Sequence, residues 1–109
     1  ERLGGAQSHG EKQVLELTMA LLGEPRLLLL DEPCAGLSPE ETGAVMDTIR
    51  WLRSSLGTTV VIIEHDMTLV RELADQVIVM NQGRVLTTGS VLEIQSDPRV
   101  QEVYIGVSL

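Results

Sequence analysis

Residues 27–33 read Leu27-Leu28-Leu29-Leu30-Asp31-Glu32-Pro33: four leucines in succession, two carboxylates and a proline. Alternating apolar and polar residues mark a strand with one wet face. An unbroken apolar run instead predicts a strand buried on both faces, as in a parallel sheet covered by helices. In open α/β sheets ligands bind beyond the carboxyl ends of the strands, and Asp31 and Glu32 stand at such an end. Two adjacent carboxylates beside four leucines call for a counter-charge. A Mg²⁺ ion supplies one. One acid then holds the shell of the metal, and the other orients and polarises a water that attacks phosphorus. For the bare stretch, the plainer alternative of two solvated loop acids carries equal weight.

Outward from this stretch the chain keeps to an α/β pattern. Upstream, residues 10–22 predict a helix with Val14, Leu17 and Leu21 on one face together with Thr18, stopped by Gly23 and Pro25. Downstream, Ser38 is an N-cap, Pro39 the first helical residue and Glu41 the partner in a capping box. The helix they open runs to about Ser55, faces Val45, Ile49, Leu52 and Leu56 inward, and ends at Gly57. The stretch "TTVVIIEHD", residues 58–66, is a second buried strand that again ends in polar residues. Asp66 caps a short helix over residues 67–74. The segment "QVIVMNQGRVLTTG" predicts a hairpin turning at Asn81-Gln82-Gly83. Ser90 and Glu93 form another capping box. Asp97-Pro98 opens a last helix reaching about Tyr104. If the two strands are parallel, His65 lies at the same end as Asp31 and Glu32. A neutral imidazole there suits hydrogen bonding to a terminal phosphate.

Bulk properties narrow the classes. The chain has 109 residues, 43% of them apolar and 22% charged, as one soluble domain or part of one requires. A net charge of -8 argues against a nucleic-acid or anionic-membrane surface. Cys34 is the single cysteine, so no internal disulfide forms and a reducing compartment is expected. No apolar run reaches the roughly 18–20 residues of a membrane span, and the first residues contain no apolar signal-peptide core. The absence of an initial Met raises the expectation of a fragment or a processed piece.

Taken in order, "QSHGEKQ" from Gln7, "LLLLDEP" from Leu27, "AGLS" from Ala35 and "IIEHD" ending at Asp66 resemble the C-terminal half of an ABC-type ATPase, the nucleotide-binding subunit of an ABC transporter. The resemblance spans essentially the whole chain. It implies part of a P-loop NTPase fold: a mostly parallel sheet with flanking helices and a C-terminal hairpin, with residues 1–109 as the C-terminal portion of the nucleotide-binding domain. It implies ATP and Mg²⁺ as cofactors, Asp31 for Mg²⁺ coordination in a Walker B segment, Glu32 as catalytic base and His65 as the switch histidine. Ala35, Gly36, Leu37 and Ser38 stand where the D-loop runs, with Ser38 in place of the usual Asp. Ser8, His9, Gly10 and Glu11 stand in the signature, where Leu-Ser-Gly-Gly-Gln is expected. Ser8 and Gly10 match, whereas Gln7, His9 and Glu11 depart. A serine hydroxyl, a glycine N–H and a helix N-terminus suit a γ-phosphate.

The family also implies partners. These are a second ATPase subunit in a head-to-tail dimer, whose ATP would face Ser8 to Glu11, and membrane permease subunits, with the assembly at the cytoplasmic face of the membrane. The stretches "DEPCAGLSPEET", "EHDMTLV" and "DPRVQEVYIG" are similar to branched-chain amino-acid and urea importer ATPases. Ser8-His9-Gly10 leans toward the urea group, and lipopolysaccharide-export ATPases share the ending. No G-x-x-x-x-G-K-[ST] phosphate loop occurs, and Lys12 is the only lysine. The 109 residues alone are therefore expected to be inactive as an ATPase and, with an incomplete sheet, to self-associate. Three other readings stand beside this one. They are a Cys-His hydrolase using Cys34 and His65, a non-catalytic interaction fragment, and an ABC protein of DNA repair or translation, against which the acidic charge counts.

Overall fold

The computed structural model of the chain describes residues 9–105. Helix α1 (His9–Leu22), strand β1 (Leu27–Asp31), helix α2 (Pro39–Leu56) and strand β2 (Thr59–Ile63) belong to a compact unit ending at Glu64. A second unit, from His65, holds helix α3 (Met67–Leu73), strands β3 (Val77–Asn81) and β4 (Arg84–Gly89), and the short helices α4 (Val91–Ser96) and α5 (Pro98–Val100). A π-helical turn, Gln101–Ile105, follows. The element order matches the sequence expectation. The described strands form two separate pairs, one parallel and one antiparallel.

In the first unit β1 pairs with β2 in parallel, from Leu27 opposite Thr59 to Asp31 opposite Ile63. Helix α2 is the crossover that a parallel pair requires. Its start is the expected capping box: Ser38 Oγ accepts from Glu41 N–H at 3.2 Å, and Glu41 Oε1 accepts from Ser38 N–H at 3.0 Å. Gly57 closes the helix with φ 66°, a left-handed position that glycine adopts without Cβ strain. Val45, Ile49 and Leu52 are fully buried at spacings of one helical turn. Each contributes roughly 1.5–3 kcal/mol of apolar burial. Leu56, expected on that face, is exposed because it is the last residue before the cap. Helix α1 lies against α2 with Gly10 and Leu17 buried and Val14 and Leu21 half-buried. Thr18, expected with them, points outward and donates its hydroxyl to Val14 O at 2.8 Å.

The expectation that β1 and β2 are buried on both faces is corrected. Leu28, Leu30, Val60 and Ile62 are half-buried, whereas Leu27, Leu29, Val61 and Ile63 on the other face are exposed, Leu29 at 68%. An unbroken apolar run needs a layer on each side of the sheet, and among the described residues only one side is covered.

In the second unit Asp66 caps α3, its carboxylate accepting from Thr68 N–H at 2.9 Å and Leu69 N–H at 3.4 Å. The β3–β4 hairpin turns through Gln82 and Gly83, both at positive φ, the pattern that matches strand twist. A bulge next to Val79 and Met80 shifts the register. Val79, Ile94 and Val100 form the core of this unit, with Val77 and Leu86 packed on it. The Ser90–Glu93 capping box opens α4 as expected. The expected last helix to Tyr104 is instead one α-turn followed by the π-turn. Gln101 Nε2 donates to Gln95 O at 2.9 Å and ties that wide turn back to α4. The Arg99 guanidinium hydrogen-bonds Asp97 at 2.8 Å and holds its carboxyl below the usual carboxylate range.

The asymmetry of the parallel pair yields a direct test. Leu52→Ala is expected to lower the stability of the chain by about 2–5 kcal/mol through the cavity it leaves. Leu29→Ala on the open face should change it by under about 0.5 kcal/mol. Denaturant unfolding of both variants decides. Equal losses would mean that the outer face of β1 is covered in solution.

Candidate functional site

Parallel register sets the site. Because Asp31 stands opposite Ile63, the residues after each strand leave from the same edge. The first residue beyond β1 is held there by a bond from Glu32 N–H to Ile63 O at 2.8 Å. Asp31 is exposed and Glu32 and Glu64 are half-buried. Carboxylate oxygens of Glu32 and Glu64 lie within 4.8 Å of each other. Like charges so close favour a cation between them. Paired carboxylate oxygens are the hard donor chemistry that Mg²⁺ takes, so Glu32 and Glu64 fit that ion.

The backbone at Glu32 is unusual. Its φ is 46°, in the left-handed region that a residue with a Cβ adopts at a cost of about 1–2 kcal/mol. The turn that follows is held by Ala35 N–H to Glu32 O and Leu37 N–H to Cys34 O, each at 3.2 Å. Pro33 and Cys34 are buried beneath it. A buried thiol is the inert kind of cysteine, which counts against Cys34 as a nucleophile. Ala35 and Gly36 are exposed, Leu37 is half-buried, and Gly36 supplies φ 75°. Ser38 ends the loop with its hydroxyl engaged as the α2 cap.

Ser8 lies outside the described residues. His9 opens α1, and its side chain is likewise outside the description. Glu11 is exposed in the first turn of the helix, where its charge suits the dipole. Gly10 is buried, and a Cβ placed on it would overlap the Glu41 carboxylate. His65 follows Glu64 and is exposed, and Asp66 beside it serves as the α3 cap.

Comparison with known proteins bears on the fold. No family model matches. The branched-chain amino-acid transport ATP-binding protein BraF of Pseudomonas aeruginosa is 41% identical over 105 residues, covering 96% of this chain and 41% of that protein. LivG of Escherichia coli is 39% identical over 99 residues, covering 91% and 39%. The methionine import ATP-binding protein MetN of Corynebacterium glutamicum is 44% identical over 94 residues, covering 86% and 26%. Among solved structures, an ABC-transporter ATP-binding cassette in its ADP conformation superposes with a TM-score of 0.81 at 32% identity, over 97% of this chain and 43% of that one. A nucleotide-free cassette superposes at 0.84 with 31% identity, over 96% and 43%. Over these residues the chain is similar in sequence to ABC ATP-binding proteins and has the fold of the matching part of an ATP-binding cassette. The chain spans about two-fifths of the length of the branched-chain amino-acid relatives.

Two features of this cassette segment escape a reading of the sequence. Glu64 follows β2 in an "EHD" run whose histidine draws attention, and the parallel register brings Glu64 to Glu32. Only the parallel pairing of two strands far apart in sequence reveals it. Glu41 reads as a capping residue alone, and its contact with Gly10 joins segments 31 positions apart, so no local pattern signals it.

The left-handed Glu32 makes a prediction about the cassette fold itself. Glu32→Gly should raise the stability of the chain by about 1 kcal/mol by removing the Cβ strain, read as a higher thermal midpoint. A lower midpoint would show that contacts of the side chain outweigh the strain.

Proposed function

We propose that the chain is part of the ATP-hydrolysing subunit of an ABC importer, at the inner face of the membrane, whose cargo is a branched-chain amino acid. The observation that carries this reading is the common edge of Asp31, Glu32 and Glu64, set by the parallel register within a cassette fold. The amino-acid cargo is supported by the similarity to BraF and LivG, which are branched-chain amino-acid transport ATP-binding proteins. The urea assignment rests on Ser8-His9-Gly10 alone and is the weaker choice. Among the described residues no helix is long and apolar enough to cross a membrane.

In this reading ATP is the substrate, and Mg²⁺ neutralises the charge of its phosphates. Asp31, exposed at the strand end, would hold the shell of the ion when it is bound. Glu32 accepts a proton from the attacking water. Its fixed backbone turn aims the carboxylate with little reorganisation. His65 holds the terminal phosphate by hydrogen bonding. Ser8, His9, Gly10 and Glu11 face the ATP of a second ATPase subunit, and Ala35 to Ser38 run beside them. No nucleic acid takes part. Residues 1–109 are the C-terminal portion of the nucleotide-binding domain. They lack a phosphate loop and are inactive alone.

The test uses the intact subunit that contains this chain. The parent protein should hydrolyse ATP only with Mg²⁺. Glu32→Gln should lower kcat by about 10²-fold or more while ATP binding persists. Asp31→Asn should raise the Mg²⁺ concentration needed for half-maximal rate. The 109-residue chain by itself should show no turnover. Hydrolysis retained in Glu32→Gln overturns the assignment of the base, and Mg²⁺-dependent turnover by the isolated chain overturns its inactivity.

A further inference from the structure

The Glu41 carboxylate makes two contacts at once. Its Oε1 accepts from the backbone N–H of Ser38 at 3.0 Å, and the same carboxylate fills the space where a Cβ on Gly10 would stand. Its own N–H donates to Ser38 Oγ, so the residue is fixed at both backbone and side-chain ends. The amino ends of α1 and α2 therefore meet through one side chain. Only glycine at position 10 admits that approach, and Gly10 is buried whereas Glu11 and Lys12 beside it are exposed. A carboxylate near the amino end of α1 is also the favourable charge for that end of a helix.

We propose that Glu41 is a positioning residue that locks the first turn of α1 to the loop Ala35–Ser38. The proposal rests on the ATPase reading above, in which these two segments stand at a nucleotide shared with a second subunit. With the capping box intact, the first turn of α1 cannot shift without moving Ser38, and the two segments approach the nucleotide as one body. Without Glu41 each finds its place separately, and the cost falls on the closed, reacting state rather than on ATP binding to one subunit.

Two measurements on the intact subunit decide. The first is a double-mutant cycle on thermal midpoints. Gly10→Ala should lower the midpoint of the parent by about 2–4 °C, because the new methyl displaces Glu41 from its cap. In a Glu41→Ala background the same change should raise it, since alanine is the better helix former once the space is free. Midpoint changes that simply add would overturn the contact. The second is kinetic. Glu41→Ala should lower kcat on the order of tenfold with the ATP dissociation constant unchanged. Glu41→Gln, whose amide oxygen accepts the same bond, should restore both kcat and midpoint. A Glu41→Ala subunit with a lowered midpoint and parental kcat would reduce Glu41 to a helix cap and overturn the proposal. If instead Glu32→Gln still hydrolyses ATP, the assignment of the base fails on its own, and the cycle of midpoints still judges the Gly10–Glu41 contact.

Discussion

The hydrogen bond from Glu32 N–H to Ile63 O extends the β1–β2 pairing one residue beyond β1, and the placement of the acids depends on that pairing. Parallel strands cannot be joined by a tight turn, so the chain must cross back through a helix. That helix needs a defined start and stop, which Ser38 with Glu41 and Gly57 supply. A slip of one residue would move Asp31 to the opposite face and bring a different residue against Glu32. The burial of Val45, Ile49 and Leu52 under α2 resists such a slip. The geometry of the acidic edge thus follows from backbone pairing stabilised by apolar packing, with no direct bond between the acids needed to hold it.

Local chemistry was the legible part of the fold. Ser38, Asp66 and Ser90 each cap the helix expected of them, because a side-chain oxygen beside an unpaired N–H is a problem solved within four residues. The Gln82-Gly83 turn was equally local. The errors fall where the answer depends on distant partners. Leu27 and Leu29 read as buried because an unbroken leucine run implies a layer on each side, and the described residues cover one. Leu56 and Thr18 lie at the margins of their stripes, where a helix end or a hydroxyl returning to Val14 O decides the orientation. The π-turn after Val100 has no sequence pattern of its own. It depends on the bond from Gln101 to Gln95 O and on the burial of Val100 with Ile94.

The site divides the same way. Asp31 and Glu32 announce themselves by standing after an apolar strand, and their position at a strand's carboxyl end is read without knowing the partner. That Glu64 meets Glu32 requires the register, and that Glu41 meets Gly10 requires the packing of α1 on α2. The positive φ of Glu32 was invisible too, since the pattern Asp-Glu-Pro favours no left-handed residue. Its cause is tertiary: Pro33 and Cys34 are buried, so the chain must turn sharply just after the strand, and Glu32 absorbs the turn.

Strain at position 32 and constraint at position 41 bear on the same loop from its two ends. Residues 32–38 begin at the left-handed Glu32, whose backbone N–H donates to Ile63 O of β2, and finish at a serine whose N–H and hydroxyl are both engaged by Glu41. Between them only Ala35 and Gly36 are exposed. A loop so held has few ways to move, and the one open stretch is the place where another molecule can touch it without disturbing either anchor. An Asp at 38 would cap α2 as well as Ser38 does, so the serine there is not demanded by the helix. The difference between those residues is one of charge at the end of the loop. With Glu32 and Glu41 already placing two carboxylates on its flanks, an uncharged cap keeps a third from crowding the same turn.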